Sequence, residues 1–280
     1  MQKLEFVKLH GAGNDFVVLD SLRGELDGVD LSSLAVRMCD RHFGIGADGL
    51  VLVLPSGGAR YRMRIFNSDG SEAEMCGNGI RCFARYLCNR GMAGESMTVE
   101  TLAGVKTVEV VAAAGSEVSF RVNMGVPGLD AEQIPVSGFE GRMISRPLEV
   151  DGARFDITCV SMGVPHCVIF VDSTADVPLW QLGPAVETHS AFPRGTNVEF
   201  AEVLKRDEVK VRVWERGAGI TLACGTGACA TVVAGVLNGI MDRKAMVHLP
   251  GGDLQIHWQE GGEVYMTGPA EEVFTGTFDI

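Results

Sequence analysis

Two cysteines in this 280-residue sequence occupy matching positions that are suited to acid–base chemistry. Cys76 begins the tetrapeptide Cys-Gly-Asn-Gly, and Cys224 begins Cys-Gly-Thr-Gly, 148 residues later. Each tetrapeptide leads directly into a segment with helical periodicity, 78–90 in the first case and 226–238 in the second. Unpaired N–H groups and the positive end of the helix dipole lie at such positions, and they favour a thiolate over a thiol. We therefore expect a lowered pKa and acid–base reactivity at both thiols.

The backbone that follows each cysteine is suited to binding a carboxylate. Glycine permits tight turns and close approach of a ligand to the main chain. The N–H groups that could hold one carboxylate between the two helix ends are those of Gly77, Asn78, Gly225 and Thr226. The α-carbon of such a ligand would lie between two sulfur atoms, so that one thiolate could remove the α-proton while the opposite thiol supplies another. Backbone dipoles would stabilise the developing charge, and the arrangement demands no electron-sink cofactor.

Other segments recur at nearly the same spacing as the two cysteines, which predicts an internal repeat. The matched pairs are residues 15–18 with 166–169, 44–50 with 194–200, and Asn67 with Glu215, which each precede a cysteine by nine residues. We expect two similar α/β halves that meet near residue 125 and bring the paired turns together across a cleft.

The local patterns predict three helices and several strands. The first helix covers 31–39 with Asp30 as its cap. The other two helices begin shortly after Cys76 and Cys224, and the one that follows Cys76 ends before Gly91. Alternating apolar and polar residues predict strands over 61–66, 105–111, 118–122 and 209–213. Cys82, Cys88 and Cys229 fall inside the helices, where buried structural thiols are expected.

The composition excludes several classes of function. The chain carries 24 Lys and Arg against 36 Asp and Glu, and this net charge of −12 disfavours nucleic acids and anionic membranes as partners. A signal-peptide core and a run of about 20 apolar residues are both missing, so we expect a cytoplasmic protein with reduced thiols. Dinucleotide, Walker and C-x-x-C patterns are missing as well, so we expect no metal and no cofactor.

Six segments of the sequence resemble the diaminopimelate epimerase family, in the order in which that family has them. They are HGAGNDF at 10–16, FGIGADG at 43–49, NSDGSEAEMCGNGIRC at 67–82, PHCV at 165–168, GTNVEF at 195–200 and ERGAGITLACGTGAC at 215–229. Proline racemases are similar, but their first cysteine motif reads Cys-Gly-His-Gly, whereas Asn78 stands here. The resemblance implies cofactor-independent (PLP-independent) interconversion of LL- and meso-diaminopimelate, in the biosynthesis of lysine and peptidoglycan precursors.

The resemblance also implies the role of each site residue. Cys76 and Cys224 would be the two bases, and His166 would support them from nearby. The reacting carboxylate would be bound by Gly77, Asn78, Gly225 and Thr226. The distal amino and carboxylate groups of the substrate would be held by Asn14, Asn67, Asn197, Glu215 and Arg216.

The fold implied by the resemblance is α/β, with two pseudo-symmetric domains and the active site in the cleft between them. Each domain would be a mixed sheet wrapped around a central helix, and the C-terminal strand would return to the first domain. The N-terminal domain would then comprise 1–124 plus 269–280, and the C-terminal domain 125–268. Members of the family commonly form homodimers, which we expect here, with a small amino acid as the substrate.

One departure from the family pattern leaves alternatives open. Many members have Gly-Asn-Pro-His where this chain has Gly-Val-Pro-His, with Val164 at the second position. A related racemase of another amino acid is therefore an alternative. A non-catalytic amino-acid-binding protein would bind without exchanging the α-proton. A dithiol redox protein would form a reducible bridge between Cys76 and Cys224.

Overall fold

The computed structural model describes residues 3–112 and 118–280. Two compact units divide the chain: Met1–Val122 with Gly268–Ile280 forms the first, and Asn123–Thr267 forms the second. The assignment of these units as two epimerase domains stays a prediction. Within the described residues, no helix combines the length and the apolar character needed to span a bilayer.

The first unit combines strands with two helices. In chain order its elements are β1 (Lys3–Gly11), β2 (Asn14–Asp20), α1 (Leu31–Cys39), β3 (Gly49–Leu54), β4 (Tyr61–Asn67), β5 (Glu72–Ala73), α2 (Gly77–Asn89), β6 (Ser96–Thr101), β7 (Gly104–Ala112) and β8 (Val118–Gly125), whose last residues lie beyond the unit boundary. The C-terminal strand β18 (Glu271–Asp279) also belongs to this unit and pairs antiparallel with β1. The expected return of the C-terminal strand is confirmed.

The second unit repeats this order of elements. They are β9 (Arg146–Val150), β10 (Ala153–Ser161), β11 (Pro165–Phe170), α3 (Leu179–Glu187), β12 (Asn197–Lys205), β13 (Glu208–Glu215), β14 (Gly219–Thr221), α4 (Gly225–Leu237), β15 (Lys244–Leu249), β16 (Gly252–Trp258) and β17 (Val264–Pro269).

The strand pairing within each unit confirms the predicted internal repeat. In the first unit, β1–β2 is antiparallel, β2–β3 parallel, β3–β4 antiparallel, β4–β6 parallel and β6–β7 antiparallel. In the second, β10–β11, β11–β12, β12–β13, β13–β15 and β15–β16 follow the same order of antiparallel and parallel pairs. Both units are therefore mixed sheets with one topology.

A buried helix packs against the sheet in each unit. Helix α2 packs on strands β1 to β4 and β18 through residues such as Ile80, Phe83 and Leu87, which are fully buried. Helix α4 packs on β10, β11, β12, β15 and β16 and is buried over most of its length. Both helices begin one residue before the predicted start, because the glycine after each cysteine already adopts helical backbone. The expected sheet around a central helix is confirmed in each unit.

Helix α3 is the element that the sequence analysis did not predict. It contains Gly183 and Pro184, and both residue types have poor helix propensity. A side chain at position 183 could not be accommodated, because its Cβ would lie 2.5 Å from a ring atom of Trp214. Close packing of this helix on β13 therefore stabilises a segment that local propensity does not.

Candidate active site

Cys76 is the N-cap residue of helix α2 in the first unit. Its backbone is extended, and its Sγ accepts a hydrogen bond from the backbone N–H of Gly79 at 3.4 Å. No acidic side chain lies in the first turn of the helix. The half-buried thiol thus occupies the N-terminal position that the sequence predicted for it.

Asn14 lies beside Cys76 and joins it to Asn78. The Oδ1 atom of Asn14 accepts from Asn78 Nδ2 at 3.1 Å and from Cys76 Sγ at 3.8 Å. Asn78 is buried, and its own Oδ1 accepts from the guanidinium of Arg81 at 2.9 Å. Arg81 also donates to the carbonyl of Gly77 at 3.0 Å and to that of Pro269 at 3.1 Å. This fully buried arginine, which the sequence analysis missed, therefore fixes the first turn of α2.

A charged cluster orients the amide of Asn14 from the other side. Asn14 Nδ2 donates to Asp48 Oδ2 at 2.6 Å, and Arg41 binds both Asp48 and Asp15 at 2.8 Å. Buried Lys8 pairs with Asp15 at 2.6 Å. Burial acts to raise the pKa of Asp15, but hydrogen bonds from Arg41 and Lys8 outweigh it and lower the pKa to about 2. The Asp15 carboxylate therefore stays ionised, and the bond to Asp48 holds Asn14 with its oxygen towards Cys76.

Asn67 is the last residue of β4, and its side chain donates to Ser71 Oγ at 2.9 Å. It pairs across the sheet with Gly49, which in turn pairs with Phe16 on the strand that begins at Asn14. Its predicted role in holding the distal end of a substrate stays a prediction.

Cys224 is the N-cap residue of helix α4 in the second unit. The thiol is buried, and its Sγ lies 3.4 Å from Thr226 Oγ1. Burial raises the pKa of Cys224 well above its ordinary value, and the negative charges of Glu215 and Glu199 raise it further. The predicted lowering of this pKa is therefore wrong, since burial and two carboxylates outweigh the helix N-terminus. Gly225 is the first residue of α4 and follows the thiol directly.

Asn197 and Arg216 meet at the end of two neighbouring strands in the second unit. Asn197 is buried, and it donates to the carbonyl of Pro165 at 3.0 Å and accepts from the backbone N–H of Arg216 at 2.9 Å. The Arg216 guanidinium donates to the carbonyl of Arg194 at 3.0 Å. Glu215 accepts from Thr221 Oγ1 at 2.6 Å, and its charge acts on Cys224.

His166 is fully buried and is paired with a carboxylate that the sequence analysis did not single out. Its Nδ1 lies 2.7 Å from Glu199 Oε1, and the glutamate is also fully buried. Glu199 lies in an otherwise apolar strand segment, two residues after Asn197. The sequence did contain a signal for this pair, namely an acidic residue among the apolar residues of a strand. Charged side chains are seldom buried without a partner, so such a residue predicts a buried partner of opposite charge or a hydrogen-bonding group.

Two cavities within the units do not involve the predicted site residues. One of about 550 Å³ lies in the first unit and is lined by Lys3, Asp20, Arg23, Tyr86, Arg90 and their neighbours. The other, of about 440 Å³, lies in the second unit beside Phe139, Leu148 and His189. Over the described ranges, no three His, Cys, Asp or Glu side chains are arranged to hold a metal ion. The chemistry-bearing residues are instead grouped at the two helix starts.

Comparison with solved structures shows the same fold in known proteins. The PhzF-family phenazine biosynthesis protein from Bacillus anthracis has a TM-score of 0.72 and 17% sequence identity, with all of both chains covered. A hydroxyproline epimerase from Agrobacterium vitis, solved with trans-4-hydroxy-L-proline bound, has a TM-score of 0.67 and 14% identity, covering 98% of this chain and 92% of that one.

Sequence comparison identifies the family. The family model for diaminopimelate epimerase matches residues 6–129 and 158–273. A diaminopimelate epimerase from Pelotomaculum thermopropionicum is 58% identical over 276 residues, covering 98% of this chain and 99% of the relative. The chain therefore belongs to the diaminopimelate epimerase family and is an isomerase of the amino-acid epimerase and racemase class.

Proposed function

We propose that this protein interconverts LL- and meso-diaminopimelate by proton transfer at the α-carbon, with Cys76 and Cys224 as the two bases. The observation that carries the proposal is the equivalence of the two thiols: each is the N-cap residue of the buried helix in one of two topologically repeated units. An inversion needs acid–base groups on opposite faces of one carbon, and a repeated unit supplies two such groups in the same local setting.

The electrostatics of Cys224 suggest how the protons are distributed before reaction. Burial and the neighbouring carboxylates favour its protonated thiol. Cys224 would then be the proton donor, and Cys76 would be the base after it has released to solvent the proton that it donates to Asn14 Oδ1. Cys76 takes the α-proton, the electron pair moves into the substrate carboxylate, and Cys224 delivers its proton to the opposite face. The thiol and thiolate have then exchanged places, and the reverse reaction restores them.

The helix starts would stabilise the charge that develops on the substrate. Gly77, Asn78, Gly225 and Thr226 lie in the first turns of α2 and α4, and the N-terminus of a helix favours an anion. Neither helix has an acidic side chain in its first turn that would repel a carboxylate. The chain's own residues can therefore stabilise the intermediate without a cofactor.

The distal end of the substrate would be held by Asn14, Asn67, Asn197, Glu215 and Arg216. In support, Asn197 and Arg216 are joined by a hydrogen bond, and the Glu215 charge acts on Cys224, so these groups share one region of the second unit. Glu215 could pair with the distal ammonium and Arg216 with the distal carboxylate.

Substitution of the two thiols tests the proposal. Cys76→Ala and Cys224→Ala each remove one proton-transfer group and should lower kcat by about 10²–10⁴-fold. The matched controls are Cys88→Ala in α2 and Cys229→Ala in α4, which change a thiol on the same helix away from its start and should stay within about threefold of wild type. Near-normal epimerisation by Cys76→Ala would exclude the two-base mechanism.

Substrate identity is tested at Val164, the position where this chain departs from the Gly-Asn-Pro-His pattern of the resemblance. A neutral hydrogen bond contributes about 0.5–1.5 kcal/mol, so Val164→Asn should change the KM for diaminopimelate by at most about tenfold. Initial rates on LL-diaminopimelate, lysine, histidine and glutamate would rank the candidates. A preference for one of the last three would point to a related racemase and leave the cysteine mechanism standing.

The same proposal places the protein in the cytoplasm as a homodimer that supplies precursors of lysine and peptidoglycan. Sedimentation velocity checks the assembly: a homodimer should sediment at about twice the 29.9 kDa chain mass, whereas a monomer at micromolar concentration would contradict it.

A further inference from the structure

The second unit contains a buried pair of titratable side chains whose role the two-cysteine step leaves open. His166 Nδ1 and Glu199 Oε1 lie 2.7 Å apart, and neither side chain is exposed. The parallel pairing of β11 with β12 sets His166 opposite Asn197, two residues before Glu199. Side chains two residues apart on a strand share a face, so the histidine and the glutamate meet on the face of the sheet where Asn197 lies.

This pair lies beneath the first turn of α4. A Cβ atom built on Gly227 would stand 2.5 Å from Glu199 Oε1 and 3.3 Å from the Cβ of Cys224. The carboxylate of Glu199 is therefore next to the start of the helix that carries the second proposed base. The absence of a side chain at Gly227 makes room for the Glu199 carboxylate, because any side chain at position 227 would displace that carboxylate.

Each member of the pair also has one buried polar atom that makes no hydrogen bond to the described residues. Among the described residues, neither His166 Nε2 nor Glu199 Oε2 has a hydrogen-bond partner. Buried polar side-chain atoms are nearly always paired. Since the two ring nitrogens point in diverging directions, the bond to Glu199 at Nδ1 turns Nε2 away from the glutamate. Nε2 is then left as an acceptor to which no described residue donates.

The glutamate decides which ring nitrogen carries the proton. A carboxylate that accepts from one nitrogen of a neutral histidine fixes the proton there and leaves the other nitrogen as an acceptor. The positive end of the α4 dipole favours the ionised carboxylate beneath it. Burial raises the pKa of Glu199 above its ordinary value, and the interaction with His166 offsets part of this rise.

We infer that Glu199, which lies beside the start of α4, is a positioning residue for the proposed epimerisation: it holds a proton on His166 Nδ1, so that Nε2 serves as a hydrogen-bond acceptor. The inference rests on the proposed function. A purely structural ion pair would instead predict that loss of the carboxylate lowers stability and leaves turnover unchanged.

The first test needs no substitution in the measured protein. Nitrogen-15 NMR of wild-type protein with labelled histidine reports the tautomer of each ring, and the His166 signal is assigned by its loss in His166→Gln. In spectra recorded between pH 7 and 8, the ring should carry its proton on Nδ1. A proton on Nε2, or a doubly protonated ring, would overturn the inference.

The second test separates positioning from structural support by kinetics. Glu199→Gln keeps the size of the side chain and removes its charge, and kcat should fall about 10–100-fold while KM changes by less than about threefold, as is typical when a partner that orients a histidine is lost. Glu202→Gln is the matched control, since Glu202 lies on the same strand and binds Thr174 at 2.9 Å instead. The control should keep the wild-type kcat.

A double-mutant cycle shows whether Glu199 acts through His166. In a His166→Asn background, Glu199→Gln should lower kcat by less than about threefold, because the group that it positions is already missing. A full additional loss would overturn the inference. If Glu199→Gln does not fold, the tautomer of the wild-type protein still decides the question.

Failure of this inference is distinguishable from failure of the proposed function. Inactive cysteine variants together with a fully active Glu199→Gln would remove the role of Glu199 and leave the two-base mechanism in place. Active cysteine variants would remove the mechanism, whatever tautomer His166 adopts.

Discussion

At the scale of single residues, the two thiols begin their helices in the same way but lie among different neighbours. Cys76 is half-buried and lies next to neutral Asn14, whereas Cys224 is buried and lies near the charges of Glu199 and Glu215. Sequence pattern predicts the cysteines themselves, because their tetrapeptides repeat. It does not predict their electrostatic partners, because strands far apart in sequence supply them.

The ion cluster behind Asn14 gives a pH-dependent prediction for stability. The lowered pKa of Asp15 means that its contribution is fully present above the unfolded pKa near 3.8 and is lost as pH falls towards about 2. Asp15→Asn should lower the free energy of unfolding at pH 7 by about 1–2 kcal/mol. This range is smaller than the full pKa shift would give, because solvent screens the charge of this partly exposed group. Urea unfolding measures the difference.

That difference should shrink by roughly half at pH 3, since protonation of the wild-type unfolded chain then offsets part of the ion-pair energy. A difference that is the same at pH 7 and pH 3 would show that Asp15 stabilises the protein without its charge.

At the scale of elements, the sequence predicted the helices whose ends carry local signals. Asp30 caps α1 and accepts from the backbone of Ser33, while α2 and α4 combine a periodic face with a glycine turn. Helix α3 lacks such signals, and its formation depends on the fit between Gly183 and Trp214, two residues on different elements. Packing between distant segments cannot be read from local propensity.

The first turns of α2 and α4 offer a matched pair of substitutions. Gly227→Ala would push a methyl group against the buried carboxylate of Glu199 at 2.5 Å, whereas the nearest atom to a methyl group in Gly79→Ala would be the terminal methyl of Ile65 at 3.0 Å. A methyl group can rotate away more easily than a paired carboxylate can move. Gly227→Ala should therefore lower kcat by about tenfold or more, corresponding to roughly 1.4 kcal/mol, and Gly79→Ala by much less.

Initial rates and melting temperatures of the two variants check this expectation. Alanine has the higher helix propensity, so a loss of helix formation would not explain lower activity. Equal activities would mean that the space beside Gly227 has no bearing on turnover.

At the scale of the whole molecule, the repeat was visible in the sequence because its landmarks kept nearly constant offsets. The pairing order of the strands is the same in both units, although few residues match between them. Strands β18 and β9 occupy the same place in the two units, because each pairs antiparallel with the first strand of the repeat, β18 with β1 and β9 with β10. For β18 it was the resemblance to a family, and no local pattern, that implied its return to the first unit.

The central claim, one proton-transfer group on each face of the substrate, is tested most directly by epimerisation of LL-diaminopimelate in deuterated water. A thiol exchanges its proton with solvent, so the group that protonates the product should deliver deuterium. Proton NMR is recorded early in the reaction, with no added cofactor. The signal of the inverted α-proton should be missing from the product, because deuterium has replaced it, while unreacted substrate keeps its α-proton signal. Equal early labelling of substrate and product would contradict the account, because it would indicate a single base serving both faces.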